Sequence, residues 1–300
     1  MFTGCGTAMV TPFRRDLALD EPALRRLVRR QIEAGINFLV PCGTTGENPT
    51  LSRAEHLRVV EITLEEAKGK VPVLAGAGGY NTAEVIELAK ELEAMGADGI
   101  LSVTPYYNKP TQEGLYQHYK AIAAAVRLPI VVYSVQGRTG VNVEPATVRR
   151  LAAIDNIVGI KEASGNITQM AAILNVVPER FAVLSGDDAI TLPLVALGGR
   201  GVISVVSNEI PAEMTEMVRL CLAGDFARAR ALHRKYFDLM EVNFVESNPI
   251  PVKAALAMMG LLEPVWRLPL VPPSPASQAR IEKVLLDLSL IQAPSRHAAS

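Results

Sequence analysis

Short runs of aliphatic and β-branched residues recur along the chain between turn residues. They lie at Gly6–Val10, Asn37–Pro41, Val71–Ala75, Gly99–Thr104, Pro129–Ser134, Ile157–Lys161, Phe181–Ser185 and Gly201–Val205. Runs of this length and composition predict strands. Between them, apolar positions recur at helical spacing over Glu21–Ala34, Arg53–Lys68, Thr82–Met95, Gln112–Ala125, Pro145–Ala153, Ile167–Val176 and Asp188–Leu197, which predicts helices. Strict alternation implies parallel strands, because a parallel neighbour is reached only by crossing over one face of the sheet. Eight such units predict an α/β fold of the closed (β/α)8 TIM-barrel type. The alternative, a doubly wound open sheet, usually carries a GxGxxG turn after its first strand, and TAMVTPF has none.

After Val205 the pattern changes to helices alone, at Pro211–Leu222, Phe226–Asn243, Pro251–Met259 and Ser277–Leu290. The expected organisation is a barrel over residues 1–210 that carries the catalytic site and a helical domain over 211–300. The final APSRHAAS reads as a frayed tail. A chain of 300 residues, 49% hydrophobic and 20% charged, is long enough for one large domain with a substantial core. Its 30 basic and 31 acidic residues give a net charge of −1, which argues against a nucleic-acid or membrane surface and points to small molecules or further copies of the chain as partners. Cys5, Cys42 and Cys221 are odd in number and far apart, so neither disulfides nor a zinc site is expected and a reducing cytoplasm fits. MFTGCGTAMVTPF lacks the build of a signal peptide, and no apolar run is long enough to span a membrane.

In a barrel of this type the loops after the strands form the functional face. Lys161 ends the apolar run Ile157–Ile160, and a period of two puts Ile157, Gly159 and Lys161 on one face, with Val158 and Ile160 on the other. If Val158 and Ile160 face the helices, Lys161 points into the barrel. Desolvation favours the neutral form of an amine, and a neutral amine attacks a ketone to form a Schiff base. The alternative is a solvated strand-end lysine paired with Glu162. Gly43-Thr44-Thr45-Gly46 offers backbone N–H groups and two hydroxyls to a carboxylate or phosphate, although it lacks the lysine and length of a nucleotide-binding loop. Tyr133 could relay a proton at the barrel mouth or simply pack there. Arg138 could clamp a carboxylate or stay solvated. Asp187 and Asp188 could be catalytic carboxylates or a helix N-cap with a first-turn acid, and Asp188 reads as the cap. His56, His118, His233 and His297 are dispersed, without metal-ligand spacing.

Three stretches, Gly43-Thr-Thr-Gly-Glu47, Thr104-Pro-Tyr-Tyr-Asn-Lys-Pro-Thr-Gln-Glu-Gly-Leu-Tyr116 and Ile160-Lys-Glu-Ala-Ser-Gly165, resemble the dihydrodipicolinate synthase family. So do Leu184-Ser-Gly-Asp-Asp188, Gly201-Val-Ile-Ser204 and Asn248-Pro-Ile-Pro-Val-Lys253, and the similarity spans nearly the whole chain. The resemblance implies a barrel with a C-terminal helical domain, assembled as a homotetramer of tight dimers, with no cofactor and no metal. It further implies a Schiff base between Lys161 and pyruvate, with Thr45 on the pyruvate carboxylate and Tyr133, Thr44 and Tyr107 relaying protons, Tyr107 reaching in from the neighbouring subunit. Arg138 would bind the carboxylate of the second substrate, L-aspartate 4-semialdehyde, the Gly186-Asp187 loop would help orient it, and Ile203 would also line the substrate site. The implied product, 4-hydroxy-tetrahydrodipicolinate, leads to diaminopimelate and lysine. Sister aldolases acting on 2-keto-3-deoxy acids or 4-hydroxy-2-oxoglutarate share Lys161 and Tyr133, and an inactive acid-binding homologue is the alternative of another class.

Two departures stand out. Ser134 and Gln136 occupy positions where the family usually has asparagine and proline, which frees the loop backbone that aims Arg138. His56, Glu84 and Tyr106 match positions of a lysine effector site, but Tyr80 replaces an asparagine there, so weak lysine feedback is expected. The alternative is that His56 and Glu84 are exposed helical residues without a ligand.

Overall fold

The computed structural model describes residues 2–292, and the tail expected at 293–300, with His297, lies outside the described residues. Eight strands occur among the described residues: β1 Gly4–Ala8, β2 Phe38–Val40, β3 Leu74–Gly76, β4 Gly99–Val103, β5 Ile130–Ser134, β6 Ile157–Glu162, β7 Ala182–Ser185 and β8 Gly201–Ser204. All pair in parallel, in the order β2-β1-β8-β7-β6-β5-β4-β3. A parallel bridge between Leu39 and Val73 closes the ring. The result is the expected (β/α)8 barrel.

The helices that alternate with the strands are α1 Glu21–Glu33, α2 Arg53–Ala67, α3 Thr82–Ala94, α4 Gln112–Ala125, α5 Gln136–Thr139, α6 Pro145–Leu151, α7 Ile167–Val176 and α8 Thr191–Ala196. Helices α9 Pro211–Leu222, α10 Phe226–Val242, α11 Ile250–Met258 and α12 Pro275–Asp287 follow. Helix starts are set by side chains that accept from otherwise unpaired N–H groups: Asp20, Asn81, Thr111 and Asn166 do so, and Ser52 with Glu55 forms a reciprocal capping box.

Two apolar layers result. Phe2, Phe38, Val40, Leu74, Leu101, Val131, Leu184 and Ile203 fill the barrel interior, while a larger cluster packs the outer strand faces against the helices. Helix α9 packs on β1 and α8, and α10 and α11 pack on α12. No helix of the described residues is long and apolar enough to cross a membrane.

Two local expectations fail. In β6, Ile130 pairs with Ile157 but Val131 pairs with Gly159, so Val158 is an extra residue in a bulge. Val158 therefore joins the barrel interior, whereas Ile157 and Ile160 face the helices, and strict alternation breaks before Lys161. Asp188 is not a helix cap, because α8 starts at Thr191 with no side-chain cap. Its carboxylate instead accepts from the N–H groups of Val205 and Val206, at 3.0 Å each, and so fixes the end of β8. Burial pushes this carboxyl up to about 6 against those donors and Ser204.

Candidate active site

Lys161 and Tyr133 are register partners on β6 and β5, so both side chains leave the ladder on the same side. Lys161 Nζ sits 4.2 Å from the Tyr133 ring centroid, and each residue is about 5% exposed, at 5% and 6% respectively. Gly186 makes room for this lysine: a Cβ there would lie 3.1 Å from Lys161 Cε and 2.5 Å from Ala163 Cβ. Lys161 makes no ion pair with Glu162. The Glu162 carboxylate accepts from Gln169 Nε2 at 2.8 Å and from Ser164 N at 3.3 Å, and burial raises its pKa.

The amine borders a cavity of about 440 Å³ whose polar lining includes Thr44, Thr45, Tyr133, Arg138, Asp187 and Asn248. The turn after β2 is held by Gly46 N–H to Gly43 O and by Glu47 N–H to Thr44 O, both at 3.1 Å, and presents Thr44 and Thr45 to this space. Arg138 stands at the rim in α5 and donates to Asn248 O at 3.0 Å. Asp187 accepts from Ala189 N–H, an Asx turn that keeps its carboxylate at the cavity wall.

Of the residues singled out from the sequence, Lys161, Tyr133, Thr44, Thr45, Arg138, Gly186 and Asp187 converge on one cavity. Ile203 and Tyr107 do not line it. Ile203 is buried in the barrel interior, and Tyr107 is 91% exposed with a left-handed φ of 65°. Three of the four residues compared with an effector site divide between two neighbouring cavities, and Tyr80 lines neither. His56 and Glu84 line one of about 220 Å³, and Tyr106 lines one of about 230 Å³ that shares Thr44, Tyr133, Val135 and Arg138 with the main cavity. Tyr80 packs edge-on against Tyr106, with ring centroids 5.2 Å apart. His56 is buried, contrary to the alternative of an exposed helical residue. Its Nδ1 lies 2.8 Å from Asn48 Oδ1, and burial lowers its pKa to about 4.

The residue missed from the sequence is Asn248. Its Nδ2 donates to Thr45 Oγ1 at 3.0 Å while its carbonyl holds Arg138, so it bridges both ends of the cavity. Only its place in the Asn248–Lys253 stretch hinted at a role, since more than two hundred residues separate it from Thr45. The ensemble is an amine and a phenol in contact at the floor, hydroxyls beside them and a guanidinium at the rim. Such a set suits carbonyl chemistry on an acidic substrate.

The family model for the dihydrodipicolinate synthetase family matches residues 1–288. The 4-hydroxy-tetrahydrodipicolinate synthase of Koribacter versatilis is 56% identical over 96% of this chain and 97% of that protein. Among solved structures, dihydrodipicolinate synthase from Thermotoga maritima superposes with a TM-score of 0.95 at 49% identity, covering 97% of this chain and 100% of the other. A structure described as the first monomeric dihydrodipicolinate synthase variant matches with the same score and identity, covering 97% and 98%.

Proposed function

The chain belongs to the dihydrodipicolinate synthetase family and is an enzyme of that family, and on that premise we propose that it condenses pyruvate with L-aspartate 4-semialdehyde at Lys161. The observation that carries the residue assignment is the Lys161–Tyr133 pair at the floor of a cavity that also holds Thr45 and Arg138. The Lys161 amine attacks the pyruvate ketone, water leaves, and the resulting iminium draws electrons from the methyl carbon. A methyl proton departs, and the enamine carbon attacks the aldehyde, whose oxygen takes up a proton. The substrate's own amine then displaces Lys161 and closes the ring of 4-hydroxy-tetrahydrodipicolinate. Tyr133, whose ring centroid lies 4.2 Å from the amine, shuttles these protons with Thr44. Thr45 binds the pyruvate carboxylate, and Arg138 binds that of the semialdehyde, a planar charge-assisted contact.

Two departures from the family pattern bear on this reading. Ser134 is absorbed into the loop anchor by accepting from Val143 N–H at 3.2 Å, and Asn248 steadies Arg138 where a proline is missing. Both favour retention of the semialdehyde. Turnover with pyruvate and L-aspartate 4-semialdehyde, run beside cleavage of 2-keto-3-deoxy acids and 4-hydroxy-2-oxoglutarate, tests it. Condensation confined to the semialdehyde supports the assignment. Preferential cleavage of another acid moves the chain to a sister aldolase.

Tyr107 completes the relay of a neighbouring subunit in a dimer of dimers, a role that suits its exposure and its left-handed backbone. Sedimentation of the active enzyme as a monomer would contradict that assembly. The three buried free thiols suit a reducing cytoplasm. Tyr80, stacked on Tyr106, removes an asparagine from the effector site, so L-lysine inhibits weakly. Potent inhibition in a steady-state assay would contradict this.

A further inference from the structure

Glu47 closes the turn that presents Thr44 and Thr45, and it is the only residue of Gly43–Glu47 whose side chain leaves the cavity to meet a charge. Its carboxylate pairs with Lys253 of α11, both side chains having no solvent exposure. Lys253 Nζ also lies 4.5 Å from the Phe13 ring centroid, and Arg267 N–H reaches the second Glu47 oxygen at 3.4 Å. Glu47 has a left-handed φ of 53°, a conformation that a side chain with a Cβ keeps only where its surroundings impose it. Two residues back along the turn, Thr45 is tied to Asn248, which immediately precedes Pro249 at the start of α11. The turn is thus fastened to one helix at two points, and Thr11 Oγ1 holds Gly46 O from the other side at 2.7 Å.

A buried ion pair is a poor way to gain stability, because apolar residues of similar volume commonly do as well. Its distinctive property is that each charge tolerates only one position of the other. We propose that Lys253 and Glu47 are positioning residues: their ion pair locks the Gly43–Glu47 turn so that Thr45 meets the carboxylate of the 2-oxo acid. This rests on the pyruvate reading above.

The test compares wild type with the double variant Glu47→Leu/Lys253→Met, which removes both charges at similar volume, and with Lys253→Arg, which keeps the charge on a longer planar head. Melting temperature, kcat, the KM of each substrate and borohydride trapping of pyruvate at a fixed low concentration are measured on each. The folded double variant should raise the pyruvate KM about tenfold or more and lower trapping in step, since displacements near 1 Å cost rates of that order. Its semialdehyde KM should stay within about twofold, marking the loss as specific to one substrate. An unchanged pyruvate KM in the folded double variant overturns the proposal, as does an equal loss in both substrates. If the double variant does not fold, Lys253→Arg decides: a several-fold higher pyruvate KM at an unchanged melting temperature supports the lock, and an unchanged KM overturns it. Absence of any adduct on wild type would remove the pyruvate reading and this inference together. A normal wild-type adduct with an unaffected variant removes the inference alone.

Discussion

Lys161 and Lys253 are both buried and both lie over an aromatic ring, at 4.2 Å from Tyr133 and 4.5 Å from Phe13. Their surroundings differ in what the nitrogen meets next. Lys253 meets the Glu47 carboxylate in a pair closed to solvent, with its ammonium disfavoured by burial and favoured by that charge. The Lys161 amine makes no ion pair or side-chain hydrogen bond among the described residues and borders a cavity of about 440 Å³. A nucleophile needs a lone pair and room for its substrate, whereas a frame needs its charges satisfied. One barrel mouth holds both arrangements, separated by a single turn of chain between β2 and α2.

The sharpest way to break this comparison is to make the same substitution at both lysines. Lys161→Arg keeps a positive charge but removes the nucleophile, so turnover falls by at least ~10³-fold and borohydride with pyruvate leaves no adduct. Lys253→Arg should retain most of its kcat in the same assay. Next comes Tyr133→Phe, which keeps the ring under Lys161 and removes the phenol. It should lower kcat by about 10²–10⁴-fold while pyruvate trapping on Lys161 persists. A loss of trapping equal to the loss of turnover would assign Tyr133 to imine formation alone.

Lys253→Met sharpens the other side of the comparison, since it leaves Glu47 buried without its partner. Chemical denaturation should show a loss of about 3–5 kcal/mol, and adding Glu47→Leu should recover most of it. The smallest effect tests the burial of two imidazoles. Burial lowers the pKa of both His56 and His118 to about 4, and each ring has one buried nitrogen without a partner. The unfolded chain therefore binds more protons between about pH 6.5 and pH 4, so stability falls on acidification through that window. Melting temperatures across that window should decline, and His56→Gln with His118→Gln should flatten the slope.

The repeat of short apolar runs and amphipathic segments was enough to read the barrel, because each strand and helix carries its own period. The errors fall where a residue answers to distant partners. Asp188 has the local features of a cap, but its carboxylate serves Val205 and Val206 just after the next strand. Val158 breaks the two-residue period because a bulge against β5 turns it inward, and pairing register is not written within one strand. The candidate site was legible in Lys161, near the end of β6, and in the Gly43–Gly46 turn, which follows β2. Asn248 and Lys253 stand out in the sequence only within a family stretch, since their contacts to Thr45 and Glu47 span more than two hundred residues. Tyr107 stands apart, because its side chain meets little of its own chain.

The claim that Lys161 is the reacting amine and Lys253 a closed structural pair can be tested in a single experiment. Wild-type enzyme is reduced with borohydride in the presence of pyruvate, digested and mapped by mass spectrometry. The account predicts one modification, on the peptide carrying Lys161, with the Lys253 peptide unmodified. An adduct on any other lysine, or none at all, would contradict it.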